Sequence, residues 1–214
     1  MTSTSQLQHQ LREELELRGI VDVRVLEAIE HTRRDLFVPE SLQHAAYDDS
    51  ALPIGEGQTI SQPYIVALMT QELHLAGDEI VLEVGTGSGY QAAILSRLCR
   101  RVVTIERIEA LSLSAQRVLA DLGVRNVIFL IGDGTLGNAE HGPYDRVIVT
   151  ASAPTVPEPL YEQLKPGGRL VAPFGDESMQ ELILVEKTDS GPEVTPLCGC
   201  RFVKLIGAAG WKLE

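Results

Sequence analysis

The chain has 214 residues, 44% of them hydrophobic, with a formal net charge of −12 and a sequence pI near 4.9. This length can bury one sizeable core, so a single domain with an appendage is expected. The acidic balance disfavours nucleic acid and anionic membrane as partners, because binding to either depends on clustered Lys and Arg. With no apolar run that could span a bilayer and no secretory signal pattern at the start, cytoplasmic location is the expectation.

The first part of the chain predicts two amphipathic helices. Leu7, Leu11 and Leu15 recur at helical spacing, and Gly19 follows as a stop signal. A second helix is predicted to begin after an N-cap at Asp22. We expect both helices to form a cap that packs on the rest of the protein. A connection rich in Gly and Pro and a third helix precede the first strand of the main domain.

The most informative segment is Glu79-Ile-Val-Leu-Glu-Val-Gly-Thr-Gly-Ser-Gly-Tyr90. Residues 80–84 predict a strand that is buried on both faces, and residues 91–98 predict the helix that follows. The glycines Gly85, Gly87 and Gly89 therefore occupy a strand-to-helix turn, where backbone N–H groups and a helix N-terminus can approach a ligand closely. A tight turn without a ligand is the alternative.

The glycine spacing and a nearby acid discriminate between possible ligands. Dinucleotide folds need G-x-G-x-x-G, but the spacing here is G-x-G-x-G, and Tyr90 takes the place of the third glycine. Glu83 just before the turn would repel a bound pyrophosphate. Both features favour a cationic cofactor without phosphates, and the segment resembles the first motif of S-adenosylmethionine-dependent methyltransferases.

Two further acids follow the next two predicted strands. Glu106 comes about twenty residues after the first glycine, where nucleoside-binding α/β folds present an acid to the ribose hydroxyls. Asp133, in Gly132-Asp-Gly134, is placed to accept a hydrogen bond from an adenine amine. Alone, Glu106 is equally well a surface acid, and Asp133 part of an ordinary turn. Because the carboxyl ends of parallel strands meet at one edge of a sheet, three acids at three strand ends favour a common site.

Strands and helices alternate from residue 79 onward, which predicts a doubly wound, mostly parallel, seven-stranded α/β sheet of the Rossmann-like type. A strand over residues 144–150 precedes a short helix over residues 156–164. The late strands, which are expected to include an antiparallel edge, are residues 169–174, 181–186 and roughly 194–206.

The cysteines are Cys99, Cys198 and Cys200, too few for a disulfide framework, and Cys198-Gly-Cys200 lacks a second pair for a zinc site. We predict that all three are reduced and that no metal is bound, with a redox or metal role for the last two as the alternative.

Several segments together resemble those of the protein-L-isoaspartate O-methyltransferase family, from about residue 33 to residue 206. The most specific of them is Gly57-Gln-Thr-Ile-Ser-Gln-Pro63. The others are Val81-Leu-Glu-Val-Gly-Thr-Gly-Ser-Gly-Tyr90, Gly132-Asp-Gly134, Val149-Thr-Ala-Ser-Ala-Pro154 and Leu164-Lys-Pro-Gly-Gly-Arg-Leu170.

The resemblance implies a class I methyltransferase fold and a repair activity. Such an enzyme transfers a methyl group from S-adenosylmethionine to the α-carboxylate of L-isoaspartyl residues, leaving S-adenosylhomocysteine. Its partners are damaged proteins and peptides, and we expect a monomer. The predicted division is an N-terminal helical cap and substrate loop over residues 1–78 and an S-adenosylmethionine-binding domain over residues 79–214.

The resemblance also implies roles for individual residues. Ser61 is the candidate catalytic residue, because its hydroxyl could orient the carboxylate, although its position also suits an N-cap for the helix that opens near Pro63. The cofactor-binding residues implied are Thr59, Ile60, Ser61, Glu83, Gly85, Thr86, Gly87, Ser88, Gly89, Glu106, Arg107, Asp133 and Gly134.

Two features depart from the family pattern. Lys204 stands where the family commonly has Pro, and residues 207–214 match no family motif. Arg201 or Lys204 could attract an anionic peptide, although a solvated strand edge is the simpler interpretation of both. Two alternatives for function stay open: a related enzyme that methylates the Asp of one dedicated peptide, and a nucleoside-binding module without catalysis.

Overall fold

The computed structural model describes residues 3–176 and 179–212. The helices are α1 Thr4–Leu17, α2 Val23–Glu30, α3 Pro63–Glu72, α4 Tyr90–Ser96, α5 Glu109–Asp121 and α6 Glu158–Glu162. The strands are β1 Leu52–Gly55, β2 Gln58–Ile60, β3 Ile80–Val84, β4 Arg101–Glu106, β5 Val127–Ile131, β6 Tyr144–Val149, β7 Leu164–Gly175, β8 Gln180–Thr188 and β9 Gly191–Cys200. Within these ranges, no helix is both long and apolar enough to cross a membrane.

The main sheet has seven strands in the order β5-β4-β3-β6-β7-β8-β9. Neighbouring strands from β5 to β7 are parallel, and β8 and β9 extend the sheet as an antiparallel edge. The connections from β3 build outward to β4 and β5, whereas β6 lies on the other side of β3. This reversal is a topological switch point, the place where open α/β sheets bind ligands. The predicted fold class is confirmed.

Both N-terminal helices begin after a side-chain N-cap, and the cap predicted at Asp22 is confirmed. Ser3 forms a capping box with Gln6 at the start of α1, and the Asp22 side chain accepts a hydrogen bond from the backbone N–H of Arg24. Leu11 and Leu15 are buried in the same apolar cluster as core residues of β3 and β4. The helical cap therefore shares one core with a face of the sheet, and the proposed division at residue 78 stays a prediction.

The structure corrects three local predictions. Part of the connection before α3 is an antiparallel hairpin of β1 and β2, which we call the hairpin (residues 52–60). The strand predicted over residues 169–174 begins earlier, at Leu164, so β7 includes the segment Lys165-Pro-Gly-Gly168. The last strand ends at Cys200 rather than near residue 206; the following segment instead forms isolated bridges, including one between Lys204 and Ser152.

Candidate active site

A cavity of about 840 Å³, open to solvent, lies at the carboxyl ends of β3, β4 and β6. The turn after β3 is called the glycine turn (residues 85–89), and its residues 85–88 form one wall together with the end of β4. The opposite wall includes the end of the hairpin and Ser61, and residues 203–206 also contribute.

Two glycines of the turn are required by close contacts as well as by their backbone conformation. Gly85 has φ +96°, and a Cβ there would lie 2.4 Å from Oγ1 of Thr150. Gly89 has φ +88°, and a Cβ there would lie 2.9 Å from Cβ of Ala115 on α5. The first glycine lets β3 and β6 meet at the cavity, and the second lets the start of α4 pack on α5.

Glu106 connects the end of β4 to the glycine turn. Its Oε2 accepts a hydrogen bond from the backbone N–H of Gly87 at 3.0 Å, and its Oε1 accepts one from the N–H of Ile108 at 3.0 Å. The side chain is 7% exposed and lines the cavity. Because each carboxylate oxygen can accept a second bond, Glu106 retains acceptor capacity for a pair of hydroxyl groups.

Glu83 is not part of the cavity wall. Its side chain is completely buried, in register with Thr104 of β4 and Ile148 of β6. Neither carboxylate oxygen has a hydrogen-bond partner among the described residues, and the Thr104 hydroxyl is bonded to Thr86 instead. Burial raises the pKa of Glu83 to about 8. A buried acid without partners favours its neutral form, so ionisation of this residue destabilises the folded state.

Ser61 follows the hairpin directly and lines the cavity. The N-cap position of α3 is Gln62, and no side chain caps the helix by a hydrogen bond. The alternative role of Ser61 as an N-cap is therefore not seen. Among the described residues its hydroxyl has no hydrogen-bond partner, while its carbonyl accepts a bond from Nη2 of Arg34 at 2.8 Å. The backbone of Ser61 is thus held while its hydroxyl stays available.

Asp133 is engaged by the C-terminal segment rather than turned toward the cavity. Its Oδ1 accepts bonds from the N–H and hydroxyl of Thr135, and its Oδ2 accepts one from the N–H of Ala208 at 2.7 Å. Although burial raises the pKa of Asp133, these bonds lower it overall. Gly134, the next residue, does line the cavity.

Most of the predicted site residues meet in this one cavity. Those in its wall are Thr59, Ile60, Ser61, Gly85, Thr86, Gly87, Ser88, Glu106, Arg107 and Gly134. Glu83, Gly89 and Asp133 lie outside the wall, for the reasons given above. The individual roles of all thirteen stay predictions.

Three residues of the wall are not among the predicted catalytic and cofactor-binding residues. Thr150 at the end of β6 donates its hydroxyl hydrogen to the Gly85 carbonyl at 2.6 Å. Tyr90 is the first residue of α4. Lys204 lines the cavity, whereas the simpler interpretation of the sequence placed it on a solvated strand edge. The signal for Thr150 was present in the segment Val149-Thr-Ala-Ser-Ala-Pro154, whereas nothing local indicated where Lys204 would lie.

The described part of the chain contains no group of three or more His, Cys, Asp or Glu side chains placed to hold a metal ion. No histidine is part of the described cavity wall.

A glycine turn at a switch point, followed by an acid that retains acceptor capacity at the end of the next strand, defines the nucleoside-binding fold of S-adenosylmethionine-dependent methyltransferases. The model of the family "Protein-L-isoaspartate(D-aspartate) O-methyltransferase (PCMT)" matches residues 4–210. The chain belongs to this family, as predicted.

Similar proteins agree with this assignment. A protein-L-isoaspartate O-methyltransferase from Trichlorobacter lovleyi is 55% identical over 205 residues, which cover 95% of this chain and 94% of the relative. One from Methanoculleus marisnigri is 49% identical over 94% of this chain and 91% of the relative.

Solved structures are similar over nearly the whole chain. A protein-L-isoaspartate O-methyltransferase gives a TM-score of 0.84 at 32% identity, covering 94% of this chain and 66% of that chain. A Plasmodium falciparum structure, described as the same type of enzyme in complex with S-adenosyl-L-homocysteine, gives a TM-score of 0.80 at 25% identity, covering 92% of this chain and 97% of that chain.

Proposed function

We propose that this protein transfers a methyl group from S-adenosylmethionine to the α-carboxylate of L-isoaspartyl residues in damaged proteins, which initiates their return to aspartyl residues. The observation that carries the proposal is that Ser61, Glu106 and the glycine turn line one cavity, in a chain of this family.

The cavity suits the nucleoside part of the cofactor. Glu106 is held by two backbone N–H groups, so its remaining lone pairs are fixed in direction and can accept from both ribose hydroxyls. The backbone of the glycine turn allows close approach to a ligand at Gly87. A Cβ at Gly134 would lie 2.6 Å from Cγ1 of Val84, so that glycine lets the turn after β5 pack against β3.

The chemistry requires little acid or base assistance from the chain. Bound S-adenosylmethionine supplies an electrophilic methyl group on a cationic sulfur. The substrate carboxylate has an ordinary pKa near 4 and is already ionised at neutral pH. A bond forms between a carboxylate oxygen and the methyl carbon while the carbon–sulfur bond breaks and its electron pair returns to sulfur. The products are a methyl ester and neutral S-adenosylhomocysteine.

The chain must therefore provide alignment. In-line placement of oxygen, carbon and sulfur can contribute about 7 to 11 kcal/mol in favourable cases. The Ser61 hydroxyl is available to donate to one carboxylate oxygen, which directs the other oxygen at the methyl group. A partly enclosed cavity also removes water from the carboxylate and makes it a better nucleophile.

The test is transfer of labelled methyl to two synthetic peptides that differ only in carrying L-isoaspartate or normal aspartate. Base-labile label on the isoaspartyl peptide alone is expected. Label on the aspartyl peptide would support an enzyme for the Asp side chain, and label on neither peptide, despite cofactor binding by calorimetry, would contradict the repair proposal. Cytoplasmic location, a monomeric state and the absence of nucleic-acid and membrane partners stay predictions from the sequence.

A further inference from the structure

Arg34 is a completely buried arginine in a short 3₁₀ helix, Arg34–Phe37, before the hairpin. Its Nε donates to the carbonyl of Ala46 at 2.9 Å. Its Nη2 donates to the carbonyl of Ser50 at 3.3 Å and to the carbonyl of Ser61 at 2.8 Å. All these acceptors are backbone oxygens, so the guanidinium group fixes the course of the chain rather than other side chains.

The two acceptors of Nη2 lie on opposite sides of the hairpin. Ser50 comes shortly before β1, and Ser61 comes immediately after β2. One NH₂ group, which carries two hydrogens, therefore holds both ends of the hairpin together. The same bond restrains the backbone of Ser61, whose hydroxyl is proposed to contact the substrate carboxylate.

Arg34 also connects the hairpin to the opposite wall of the cavity. Its guanidinium carbon lies 4.8 Å from the ring centroid of Tyr90, the first residue of α4 after the glycine turn. The Tyr90 ring in turn packs edge-on against Phe37, with 5.4 Å between the ring centroids. A planar cation on an aromatic face is a favourable contact that also fixes orientation.

The arginine is an unusual choice for a position that only needs to fill space. No carboxylate of the described residues forms an ion pair with Arg34, and its Nη1 has no hydrogen-bond partner there. Burying a cation without a counter-charge costs free energy, and well-packed apolar side chains often replace buried ionic groups without loss of stability. A requirement other than stability therefore accounts better for this side chain.

We propose that Arg34 is a positioning residue for methyl transfer: by joining both ends of the hairpin and resting on Tyr90, it sets the place of the Ser61 hydroxyl relative to the glycine turn. The inference rests on the proposed function and adds to it a residue that does not line the cavity. A displacement of about 1 Å in a reacting group can lower the rate of the chemical step a hundredfold.

The first variant is Arg34→Lys, which keeps the positive charge but loses the planar fork that reaches three carbonyls. We expect kcat on the isoaspartyl peptide to fall about tenfold to a hundredfold, while the Kd for S-adenosylmethionine changes less than about threefold. Arg33→Lys is the matched control. Arg33 pairs with Asp35 and is half-exposed, so this variant is expected to keep the parent kcat.

The decisive readout is a double-mutant cycle with Ser61→Ala. If Arg34 acts through the Ser61 hydroxyl, Arg34→Lys lowers kcat strongly in the parent but less than about twofold in the Ser61→Ala protein. The same loss in both backgrounds, or no loss in the parent, would overturn the proposal. A purely structural role predicts the first of those outcomes.

Folding is checked by the affinity for S-adenosylmethionine. If Arg34→Lys does not bind it, Arg34→Gln replaces it in the cycle, because its amide NH₂ can still donate two hydrogen bonds. If neither variant binds the cofactor, the role is structural and the proposal is wrong. Failure of the repair function is distinct, since it is seen in the parent protein before any variant is made.

Discussion

The two walls of the cavity are built in different ways. The glycine turn and Glu106 lie at the ends of adjacent parallel strands, and their hydrogen bonds join segments that the sheet already holds in register. The hairpin belongs to a separate two-stranded sheet, and the segments on its two sides are joined by side-chain hydrogen bonds. Arg34 donates to the carbonyls of Ser50 and Ser61, and the Asp49 carboxylate accepts from the Gln62 amide and from the backbone N–H of Tyr64. The wall formed by the glycine turn and Glu106, which we call the cofactor wall, thus depends on the main sheet. The wall formed by the end of the hairpin and Ser61, which we call the hairpin wall, depends more on side-chain contacts.

This difference indicates how changes in each wall should appear in measurements. A substitution in the cofactor wall is expected to lower the affinity for S-adenosylmethionine. Loss of the Ser61 hydroxyl is expected to lower kcat, because we assign this hydroxyl to the substrate carboxylate and not to the nucleoside. The following changes test that separation.

Glu106→Ala should have the largest effect. Loss of an ionised acceptor for two ribose hydroxyls is expected to raise the Kd for S-adenosylmethionine about a thousandfold. Calorimetry measures this directly, with Glu109→Ala, an exposed acid at the start of α5, as the control. An affinity within threefold of the parent would remove Glu106 from the proposed ribose contact.

Ser61→Ala should lower kcat about a hundredfold and leave the Kd for S-adenosylmethionine within about twofold. Ser88→Ala offers the contrast on the other wall. Ser88 lines the cavity, and its hydroxyl accepts a hydrogen bond from the N–H of Tyr90 at 3.3 Å. Loss of this hydroxyl should therefore lower the affinity for S-adenosylmethionine. Turnover by Ser61→Ala at the parent rate would refute the catalytic assignment.

Glu83→Gln tests how this buried acid affects the stability of the folded state. The pKa of Glu83 is raised in the folded state to about 8, so the folded state binds more protons than the unfolded state between about pH 4.5 and 8. The free energy of unfolding should therefore fall as pH rises, by about 2 kcal/mol from pH 6 to 8. The substitution should remove this slope in urea titrations.

The control for that titration is Glu193→Gln, which changes an exposed acid on β9 and should keep the parent slope. A slope that persists unchanged in Glu83→Gln would mean that another group titrates in this range.

Lys204→Met should have the smallest effect. Lys204 lines the cavity, with Nζ 5.5 Å from the ring centroid of Trp211. Loss of an exposed cation should raise KM about threefold for isoaspartyl peptides with acidic neighbours, and leave KM for neutral peptides unchanged. Lys212→Met, at a position outside the cavity wall, is the control. Equal changes in both peptides would show that the lysine does not recognise charge.

The sequence predicted the cofactor wall better than the hairpin wall. A buried strand, a glycine turn and an acid about twenty residues later form a local pattern with a known spacing. The hairpin was missed because its strands are only four and three residues long, and the first of them contains Pro53 and Gly55 in place of an alternating pattern. Arg33 and Arg34 are adjacent and chemically identical, so only the tertiary fold determines which of them is buried.

Asp133 shows a different limit. The residue lies where the pattern of strand ends predicts it, but its acceptors are used by Thr135 and by the backbone of Ala208, which is 75 residues away in sequence. A contact between segments so distant in the chain leaves no local signal. The tail that makes it was the part of the sequence without a recognisable motif.

That attachment of the tail has a practical consequence for protein engineering. The segment after β9 forms part of the cavity wall and then reaches Asp133, with the Trp211 indole N–H donating to the carbonyl of Ser152 at 2.9 Å. Affinity tags and fusion partners are therefore better placed before α1, which contributes nothing to the described wall. The same addition after Lys212 would disturb the contacts of the segment that forms part of the cavity wall.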